Sequence, residues 1–233
     1  MLSDLLLVLS SVDNEIYLII GIIGIPLLVN SKLKRTVAKY SKISCNVKIS
    51  GQDAANILLA KSNINNVEAK LVDGVMSDYY DPGKKIIGLS KQVFDENSIS
   101  SIGVAAHEVG HAIQDAIGYG PLMLRNVVGL IAGVGSLGPY LVIGGLVFSF
   151  PLLVNIGIFL YIFAVLFSII TLPSEFDASV RAVKILDEHK LLTKRELAGA
   201  KKVLDAAALT YVAATITSLL DLIHLIIISS NDD

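Results

Sequence analysis

The chain has 233 residues, of which 53% are hydrophobic and only 17% are charged, and its mean hydropathy is +0.67. This composition excludes an ordinary soluble protein and is typical of a protein embedded in a membrane. The net charge of −2 gives no support for a nucleic acid partner. Because Cys45 is the only cysteine, the chain cannot form an intramolecular disulfide.

Apolar segments in four places predict membrane-spanning helices. The first segment ends just before a group of basic residues. Residues 126–174 contain no charged side chain, and at about 20 residues per span this stretch is long enough for two helices, separated near Pro151. The last segment carries Asp221 and His224 near its end. The predicted spans are residues 16–29, 127–148, 152–172 and 206–228.

The positions of the basic residues predict the orientation of these spans. All 19 Lys and Arg lie in two segments, twelve in residues 32–125 and seven in residues 181–202. The positive-inside rule places both segments in the cytoplasm and therefore both termini outside. No basic residue precedes the first span, so we expect it to remain as an anchor rather than be cleaved as a signal peptide. The chain is thus expected to be a multi-pass protein of the cell membrane, surrounded by the lipid bilayer.

These spans divide the chain into five predicted segments. The expected fold class is a mainly α membrane protein with about four transmembrane helices and a small α+β cytoplasmic domain. The segments are an N-terminal anchor span (residues 1–31), a cytoplasmic segment (32–125), a transmembrane hairpin (126–173), a second cytoplasmic segment (174–205), and the last span with an external C-terminus (206–233).

The first cytoplasmic segment has the pattern of a small α+β unit. Residues 51–61 predict a short helix, and residues 66–72 and 85–90 predict strands. The run DYYDPG at residues 78–83 indicates a turn or an irregular segment at the edge of the sheet. We hypothesise that an exposed edge of this sheet accepts an extended peptide by strand addition.

The helix expected after this sheet carries His107-Glu108-Val109-Gly110-His111, an H-E-x-x-H motif. Residues four apart lie on one face of a helix, so both imidazoles can bind a single metal ion. Zinc suits this pair, because a catalytic zinc ion takes three nitrogen or oxygen ligands and keeps one position open. Glu108 directly follows the first ligand and is placed to act as general base. Gly110 weakens the helix by about 1 kcal/mol relative to Ala, which indicates close approach by another backbone.

A third ligand is expected on the same side of the membrane. Asp115 lies one turn beyond the motif, but three ligands from one helix would leave little room for a substrate. His189 lies in a charged run that is typical of a solvated surface, and His224 is at the far end of the last span. Glu175 emerges at the cytoplasmic end of the third span, and we assign it as the third ligand. The alternative is that Glu175 is a charge favoured near a helix N-terminus after Pro173.

Several runs of the sequence together resemble the YugP-type membrane zinc metallopeptidases. They are VAAHEVGHAIQ with its lead-in SISSIG, the segments DYYDP and LPSEFDAS, Pro121-Leu122 with Arg125, and LTYVAA. The similarity extends over nearly the whole chain, from about residue 17 to residue 220. The architecture also resembles the HtpX and CAAX-processing membrane proteases of the gluzincin type. In those proteins a transmembrane hairpin separates H-E-x-x-H from the third-ligand glutamate.

The resemblance implies a zincin-like catalytic domain that binds one zinc ion per chain. It implies that His107, His111 and Glu175 are the zinc ligands and that Glu108 is the catalytic base, with a polypeptide as substrate. Water activated by the metal would attack the peptide carbonyl, and Glu108 would take up its proton and pass it to the leaving amine. The expected function is therefore a membrane-embedded zinc metalloendopeptidase.

Three features depart from the pattern of these related proteins. Many of them have histidine at the position of Tyr79. Related gluzincins have an aspartate four residues after the ligand glutamate, which orients a zinc histidine. This chain has Ser179 at that position, and Asp177 is the candidate to substitute for the missing aspartate. Arg181 or Tyr211 could stabilise the oxyanion, but nothing in the spacing decides. A helix ion pair for Arg181 and a membrane-interface position for Tyr211 fit the sequence equally well.

Other interpretations fit the same sequence less well. A membrane metal transporter or sensor would need polar ligands near the middle of the membrane, but Asn155 is the only notable polar side chain of the central hairpin. A catalytically silent zinc-binding scaffold would normally close the fourth metal position with a protein ligand, and an intact Glu108 disfavours it. The motif could also hold two ordinary buried histidines. The sequence assigns no role to Asp221 or His224 and does not indicate an oligomeric state.

Overall fold

The computed structural model describes residues 12–230, so the predicted external ends at residues 1–11 and 231–233 lie outside the described chain. Eight helices and three short strands make up the described residues. In chain order they are α1 (Val12–Tyr40), α2 (Gly51–Lys61), β1 (Glu68–Val72), β2 (Tyr79–Asp81), β3 (Ile86–Ser90), α3 (Lys91–Asp95), α4 (Ile99–Ala116), α5 (Gly120–Gly135), α6 (Gly138–Val147), α7 (Pro151–Glu188) and α8 (Lys194–Ser230).

Three of the described helices, α1, α7 and α8, are long and apolar enough to cross a membrane. α5 and α6 supply a fourth span if they are counted as one, with a bend of 49° between Gly120–Gly129 and Ile131–Val147. About 20 residues cross the hydrocarbon core, so α7 and α8, with 38 and 37 residues, extend well beyond it. The expected mainly α membrane protein with about four transmembrane helices is confirmed.

The second predicted span, residues 127–148, is not one straight helix. α5 ends at Gly135 and α6 begins at Gly138, with Pro139 in its first turn. Proline lacks a backbone N–H and disfavours a helical conformation in the residue before it, so the helix stops there. A Cβ atom added to Gly138 would lie 2.5 Å from the Gly157 carbonyl oxygen of α7. Small residues permit such close backbone approach between membrane helices.

The described chain forms two compact units, and the first contains the apolar parts of the long helices. The side chain of Asp221 lies beside the phenol group of Tyr161, so the acidic side chain of the last span has a polar neighbour. The unit consists of residues 12–30, 124–172 and 210–230. Its core is formed by Val142, Val154, Tyr161, Val165 and Leu225.

The second unit consists of residues 31–123 and 173–209. Its sheet has the strand order β1-β3-β2, with β1 parallel and β2 antiparallel to β3. Leu89 of β3 is fully buried in one core with Leu58 of α2 and Ile102 of α4. Complete burial of a side chain of this size stabilises a fold by about 1.5–3 kcal/mol. The sheet therefore forms a common core with α2 and α4, the helix that carries the motif.

Local sequence signals account for much of this unit. α2 has the predicted bounds, Gly51–Lys61, and begins with a capping box in which Ser50 and Asp53 bond to each other's backbone N–H. Both predicted strands are present as β1 and β3, and residues 78–83 contain the edge strand β2. The predicted combination of a small sheet followed by the motif helix is confirmed.

Candidate metal centre

Helix α4 carries the two histidines of the motif one turn apart. It begins after Ser98, whose hydroxyl oxygen accepts a hydrogen bond from the Ser101 N–H at 3.0 Å. Such a cap satisfies an amide group that has no partner within the helix. The side chains of His107 and His111 are 13% and 6% exposed. The small residues buried around them are Ala105, Ala106, Val109 and Ala112.

Gly110 allows α7 to approach α4 closely. A Cβ atom added to this glycine would lie 2.5 Å from the carbonyl oxygen of Ala178, which is too short for any real side chain. The close approach expected from the sequence is therefore present, and α7 is the partner. Glu175 lies three residues before Ala178, about one turn along α7, so the same packing brings its carboxylate towards the two histidines.

The side chains of His107, His111 and Glu175 converge on one point. Glu175 Oε2 lies 3.3 Å from His107 Nε2 and 3.5 Å from His111 Nε2. The centroids of the two imidazole rings are 4.8 Å apart, and the rings are nearly perpendicular, at 83°. Within residues 12–230, this is the one group of three or more His, Cys, Asp or Glu whose potential ligand atoms all lie within 4.8 Å of one another.

These distances fit a tetrahedral metal ion. Zinc binds histidine nitrogen and carboxylate oxygen at about 2.0–2.1 Å, so two ligand atoms of a tetrahedral site are about 3.3 Å apart. The nitrogen–oxygen distances of 3.3 and 3.5 Å correspond to that separation. Two nitrogens and one oxygen also match the ligand set of a catalytic zinc site. The three residues therefore suit zinc both in geometry and in chemistry.

The two histidines stabilise the charged form of Glu175. Burial alone would raise the pKa of this carboxyl group. The imidazoles of His107 and His111, whose Nε2 atoms lie 3.3 and 3.5 Å from its Oε2 atom, bring the pKa well below its ordinary value. Glu175 is therefore a carboxylate at neutral pH and offers an anionic oxygen to a cation.

Glu108 is also buried, with 6% of its surface exposed. Burial raises the pKa of its carboxyl group, the charges of His107 and His111 oppose this change, and the charges of Glu175 and Asp78 add to it. A carboxyl group in this environment binds a proton more readily than an ordinary glutamate does. The surroundings of Glu108 suit a group that takes a proton from water and releases it again.

Each motif histidine has a hydrogen-bond partner at its other ring nitrogen. His107 Nδ1 lies 3.2 Å from Ser179 Oγ, and His111 Nδ1 lies 3.0 Å from Gln114 Oε1. Such partners fix the orientation of a ring and leave its Nε2 atom for a metal. Ser179, where the related proteins have aspartate, contacts a histidine directly, whereas Asp177, the predicted substitute, bonds to Gln114 at 2.8 Å.

The other candidates for the third ligand are not part of the group. Asp115 accepts hydrogen bonds from Tyr80 Oη and Lys85 Nζ, both at 2.5 Å. It therefore joins α4 to the hairpin of β2 and β3. His189 and His224 are likewise not members of the metal-binding group found within residues 12–230.

The structure shows other contacts for two residues whose role the sequence left open. Arg181 Nε donates a hydrogen bond to Asp177 Oδ2, and its guanidinium group lies over the Tyr119 ring, 5.7 Å from the centroid. Tyr79 packs across the sheet on Gly88, where an added Cβ atom would lie 2.7 Å from the tyrosine ring. These contacts give Arg181 and Tyr79 packing roles in the second unit.

Tyr211, the other candidate for oxyanion stabilisation, belongs to the first unit. There it lines a cavity of 540 Å³ together with Pro26, Tyr161 and Thr217, among other residues. Its role in catalysis stays a prediction.

Gln114 is the residue of the site that the sequence did not single out. It lies three residues after His111, so the two side chains share one face of α4. That spacing is visible in the run HEVGHAIQ. Gln114 is positioned by its contacts with Ser174 and Asp177 of α7. These contacts depend on the packing of two helices that are far apart in the sequence.

The fold and the site together define a mainly α membrane protein with a candidate zinc centre, built from an H-E-x-x-H helix and a later glutamate. The family model described as "Putative neutral zinc metallopeptidase" matches residues 15–230, and the chain belongs to this family. The chain is similar to the "Putative membrane protease YugP" of Bacillus subtilis (strain 168), with 39% identity over 220 residues that cover 93% of this chain and 96% of that protein. No solved structure matches the chain. The resemblance noted from the sequence motifs is confirmed.

Proposed function

We propose that this chain is a zinc-dependent metalloendopeptidase of the cell membrane. The observation that carries the proposal is the convergence of His107, His111 and Glu175 on one point, beside the buried carboxyl group of Glu108. Membership of a zinc metallopeptidase family and similarity to a protein named as a membrane protease support the same activity. The substrate would be a polypeptide, and each chain would bind one zinc ion.

The proposed chemistry gives each residue of the site a task. His107, His111 and Glu175 would hold the zinc ion, which supplies the Lewis acid for peptide hydrolysis when it is bound. Glu108 would take the proton from the attacking water and deliver it to the nitrogen of the leaving amine. The burial of Glu108 supports this assignment, because its carboxyl group holds a proton more readily there than in open solvent.

Strand β2 is the proposed edge for binding the substrate backbone. It lies at the edge of the sheet, and the hydrogen bond from Tyr80 to Asp115 joins it to α4. A peptide added to this edge would make main-chain hydrogen bonds beside the helix that carries Glu108. N-methylation of alternate backbone amides in a substrate should then slow cleavage, and an unchanged rate would contradict this mode of binding.

The proposal also includes a cytoplasmic active site. All 19 basic residues lie within residues 32–125 and 181–202, and the positive-inside rule assigns such segments to the cytoplasm. The two histidines belong to the first of these segments, and Glu175 lies shortly before the second. The bilayer would surround the apolar helices, and both termini would be external.

Cleavage that depends on zinc tests the proposed activity. The purified protein in detergent should cleave an unfolded, fluorescently labelled protein, a chelator should abolish cleavage, and added zinc should restore it. Glu175→Ala should lower both zinc content and activity, because the ion would lose one of its three protein ligands. The matched control is Glu188→Ala, which removes an exposed glutamate from the same helix and should leave both unchanged.

Two results would contradict parts of this proposal. Equal zinc content in Glu175→Ala and in the control would mean that another residue is the third ligand. Full zinc occupancy without cleavage of several unfolded proteins and peptides would favour a catalytically silent scaffold over a peptidase.

A further inference from the structure

The side chain of Gln114 is completely buried and bonds to three other residues. Its Nε2 atom donates hydrogen bonds to the Ser174 carbonyl oxygen and to Asp177 Oδ2, each at 2.8 Å. Its Oε1 atom accepts a hydrogen bond from Ser174 Oγ at 3.1 Å and lies 3.0 Å from His111 Nδ1. Both ends of the amide therefore have two partners, which is the full complement that its chemistry allows.

These partners determine which way the amide of Gln114 points. The Ser174 carbonyl oxygen and the Asp177 carboxylate can only accept hydrogen bonds, so the NH2 group must face them. The amide oxygen must then face His111 Nδ1, and because that oxygen only accepts, Nδ1 must carry the proton. The neutral His111 ring therefore has its lone pair on Nε2, the atom that lies 3.5 Å from Glu175.

The guanidinium group of Arg181 holds the Asp177 carboxylate in place. Its Oδ2 atom accepts a hydrogen bond from Arg181 Nε, one turn further along α7, and the Arg181 guanidinium packs over the Tyr119 ring. A planar, permanently charged guanidinium fixes a carboxylate more firmly than a flexible ammonium group does. A continuous path of polar contacts thus runs from Arg181 through Asp177 and Gln114 to His111.

The amide also joins the two helices that carry the metal-binding residues. Gln114 belongs to α4, as His111 does, and Ser174 directly precedes Glu175 on α7. Both the carbonyl oxygen and the hydroxyl group of Ser174 bond to the same amide. A single side chain thus sets the orientation of one histidine and holds the backbone beside the carboxylate that faces it.

We infer that Gln114 and Asp177 are positioning residues for the metal centre, and that Asp177 acts on His111 through the amide of Gln114. This inference rests on the proposed zinc site. Metal-binding histidines commonly donate their second N–H to a carboxylate, and removal of such a partner weakens metal binding by about 10- to 100-fold. Here a neutral amide lies between the carboxylate and the ring.

A purely structural role of Gln114 would have different consequences for zinc affinity. If Gln114 only satisfied buried polar groups, its removal would lower stability, but the zinc affinity of the folded protein would not change. If Asp177 acted on the metal independently of Gln114, the effects of the two substitutions on zinc affinity would add. The test must therefore measure zinc affinity in single and double variants.

The experiment is a double-mutant cycle on zinc affinity, measured by competition with a chromogenic chelator on the full-length protein in detergent. Gln114→Met keeps the size of the side chain and removes its amide, and should weaken zinc binding by about 10- to 100-fold. Asp177→Ala should weaken it by a smaller factor in the otherwise wild-type chain. In the Gln114→Met background, Asp177→Ala should have no further effect.

A matched control and a spectroscopic measurement accompany the cycle. Asp187→Ala removes an aspartate of the same helix that forms an exposed ion pair with Lys194, and it should leave zinc affinity unchanged. The visible absorption of the cobalt-substituted protein reports ligand geometry, so it should change in Gln114→Met and remain as in the wild type in Asp187→Ala.

The outcomes separate this inference from the proposed function. Wild-type zinc affinity in Gln114→Met, or equal effects of Asp177→Ala in both backgrounds, would overturn the inference alone. If Gln114→Met does not fold, Asp177→Ala decides, and an affinity equal to that of Asp187→Ala would overturn it. A wild-type protein that binds no zinc would instead contradict the proposed function.

Discussion

The two motif histidines have a hydroxyl group and an amide as partners at Nδ1. His107 faces the hydroxyl group of Ser179, and His111 faces the amide of Gln114. A carboxylate at this position would make the ring more basic and bind it more firmly. In this chain the carboxylate at the centre is therefore Glu175, while the groups that orient the two rings are neutral.

Substitution of Ser179 should change zinc affinity in both directions. Ser179→Ala removes the partner of His107 and should weaken zinc binding by about 10-fold or more. Ser179→Asp places a carboxylate next to the same nitrogen and should strengthen binding. Chelator competition at neutral pH measures both effects. The account would be contradicted if the two variants had the same affinity.

Among the residues of the candidate site, the sequence predicts those whose positions depend on spacing along a single helix. His107, Glu108 and His111 lie within one turn and a half of a helix, so their common surroundings follow from the motif itself. Glu175 could be proposed because the predicted topology returns the chain to the side of the membrane that carries the motif. The position of Gln114 could not be predicted, because its amide is oriented by backbone and side-chain atoms of α7 that lie 60 residues or more away.

The contact between α4 and α7 is the element-scale feature that brings the candidate ligands together. At Gly110 the two backbones are so close that a Cβ atom would lie 2.5 Å from the Ala178 carbonyl oxygen. A backbone carbonyl cannot move aside as the end of a flexible side chain can. The helices would have to separate to admit a methyl group, and Glu175 would move away from the histidines.

Gly110→Ala should therefore lower both stability and zinc affinity. Overpacking of this kind costs about 1–3 kcal/mol, which thermal unfolding in detergent would detect. Gly133→Ala is the matched control, because the glycine lies inside α5 and an added Cβ would meet nothing within 4 Å. A Gly110→Ala variant as stable as the control would show that the helices are less closely packed than described.

Glu196 ties the start of α8 to the loop after α1. Its carboxylate accepts hydrogen bonds from the Asn46 N–H and from the N–H and hydroxyl group of Thr193. Burial alone would raise the pKa of Glu196, but these hydrogen bonds bring it below its ordinary value. A lowered pKa in the folded state means that the ionised carboxylate stabilises the fold.

The contribution of Glu196 should depend on pH. The stabilisation by the ionised Glu196 is fully present above the pKa of an unfolded glutamate, about 4.3. It is lost as the pH falls through the lower pKa of the folded state. Glu196→Gln should lower the free energy of unfolding by about 1 kcal/mol at pH 7, as loss of a helix cap does. Below the folded-state pKa of Glu196 the substitution should have almost no effect. Thermal unfolding across this range measures the difference, and a cost that is independent of pH would contradict the assignment.

Element boundaries were predictable where a local signal dominates. The capping box of Ser50 and Asp53 fixes the start of α2, and the predicted and observed bounds agree. The break between α5 and α6 is not predicted, because the uniform apolarity of residues 127–148 favours one continuous span despite the Gly138-Pro139 pair. The sequence predicts a turn or irregular segment where the structure has the edge strand β2, because three residues are too few to show an alternating pattern.

For the whole molecule, the distribution of charge predicts a single orientation in the membrane. Every Lys and Arg lies in one of two segments, and the hairpin turn between α6 and α7 has none. On the proposed topology, this turn and the turn between α7 and α8 would lie on opposite sides of the bilayer. The proposed metal centre would be on the side of the second turn.

Cysteine labelling in cells tests this orientation. Ser149→Cys and Lys190→Cys are matched, because both residues are exposed and lie in turns with positive φ. A membrane-impermeant maleimide should label Ser149→Cys in intact cells and Lys190→Cys only after permeabilisation. The native Cys45 is 3% exposed, so background labelling should be low. The reverse pattern would contradict a cytoplasmic site.

The proposed reaction requires Glu108 to move the proton and the three proposed ligands, His107, His111 and Glu175, to hold the zinc ion. The most direct measurement compares the wild type with Glu108→Gln, recording cleavage of an unfolded labelled protein and zinc content in the same purified samples. We expect zinc to be retained and cleavage to fall by about 10²- to 10⁴-fold, the usual contribution of a general base. Undiminished cleavage by Glu108→Gln, at equal zinc content, would contradict the account.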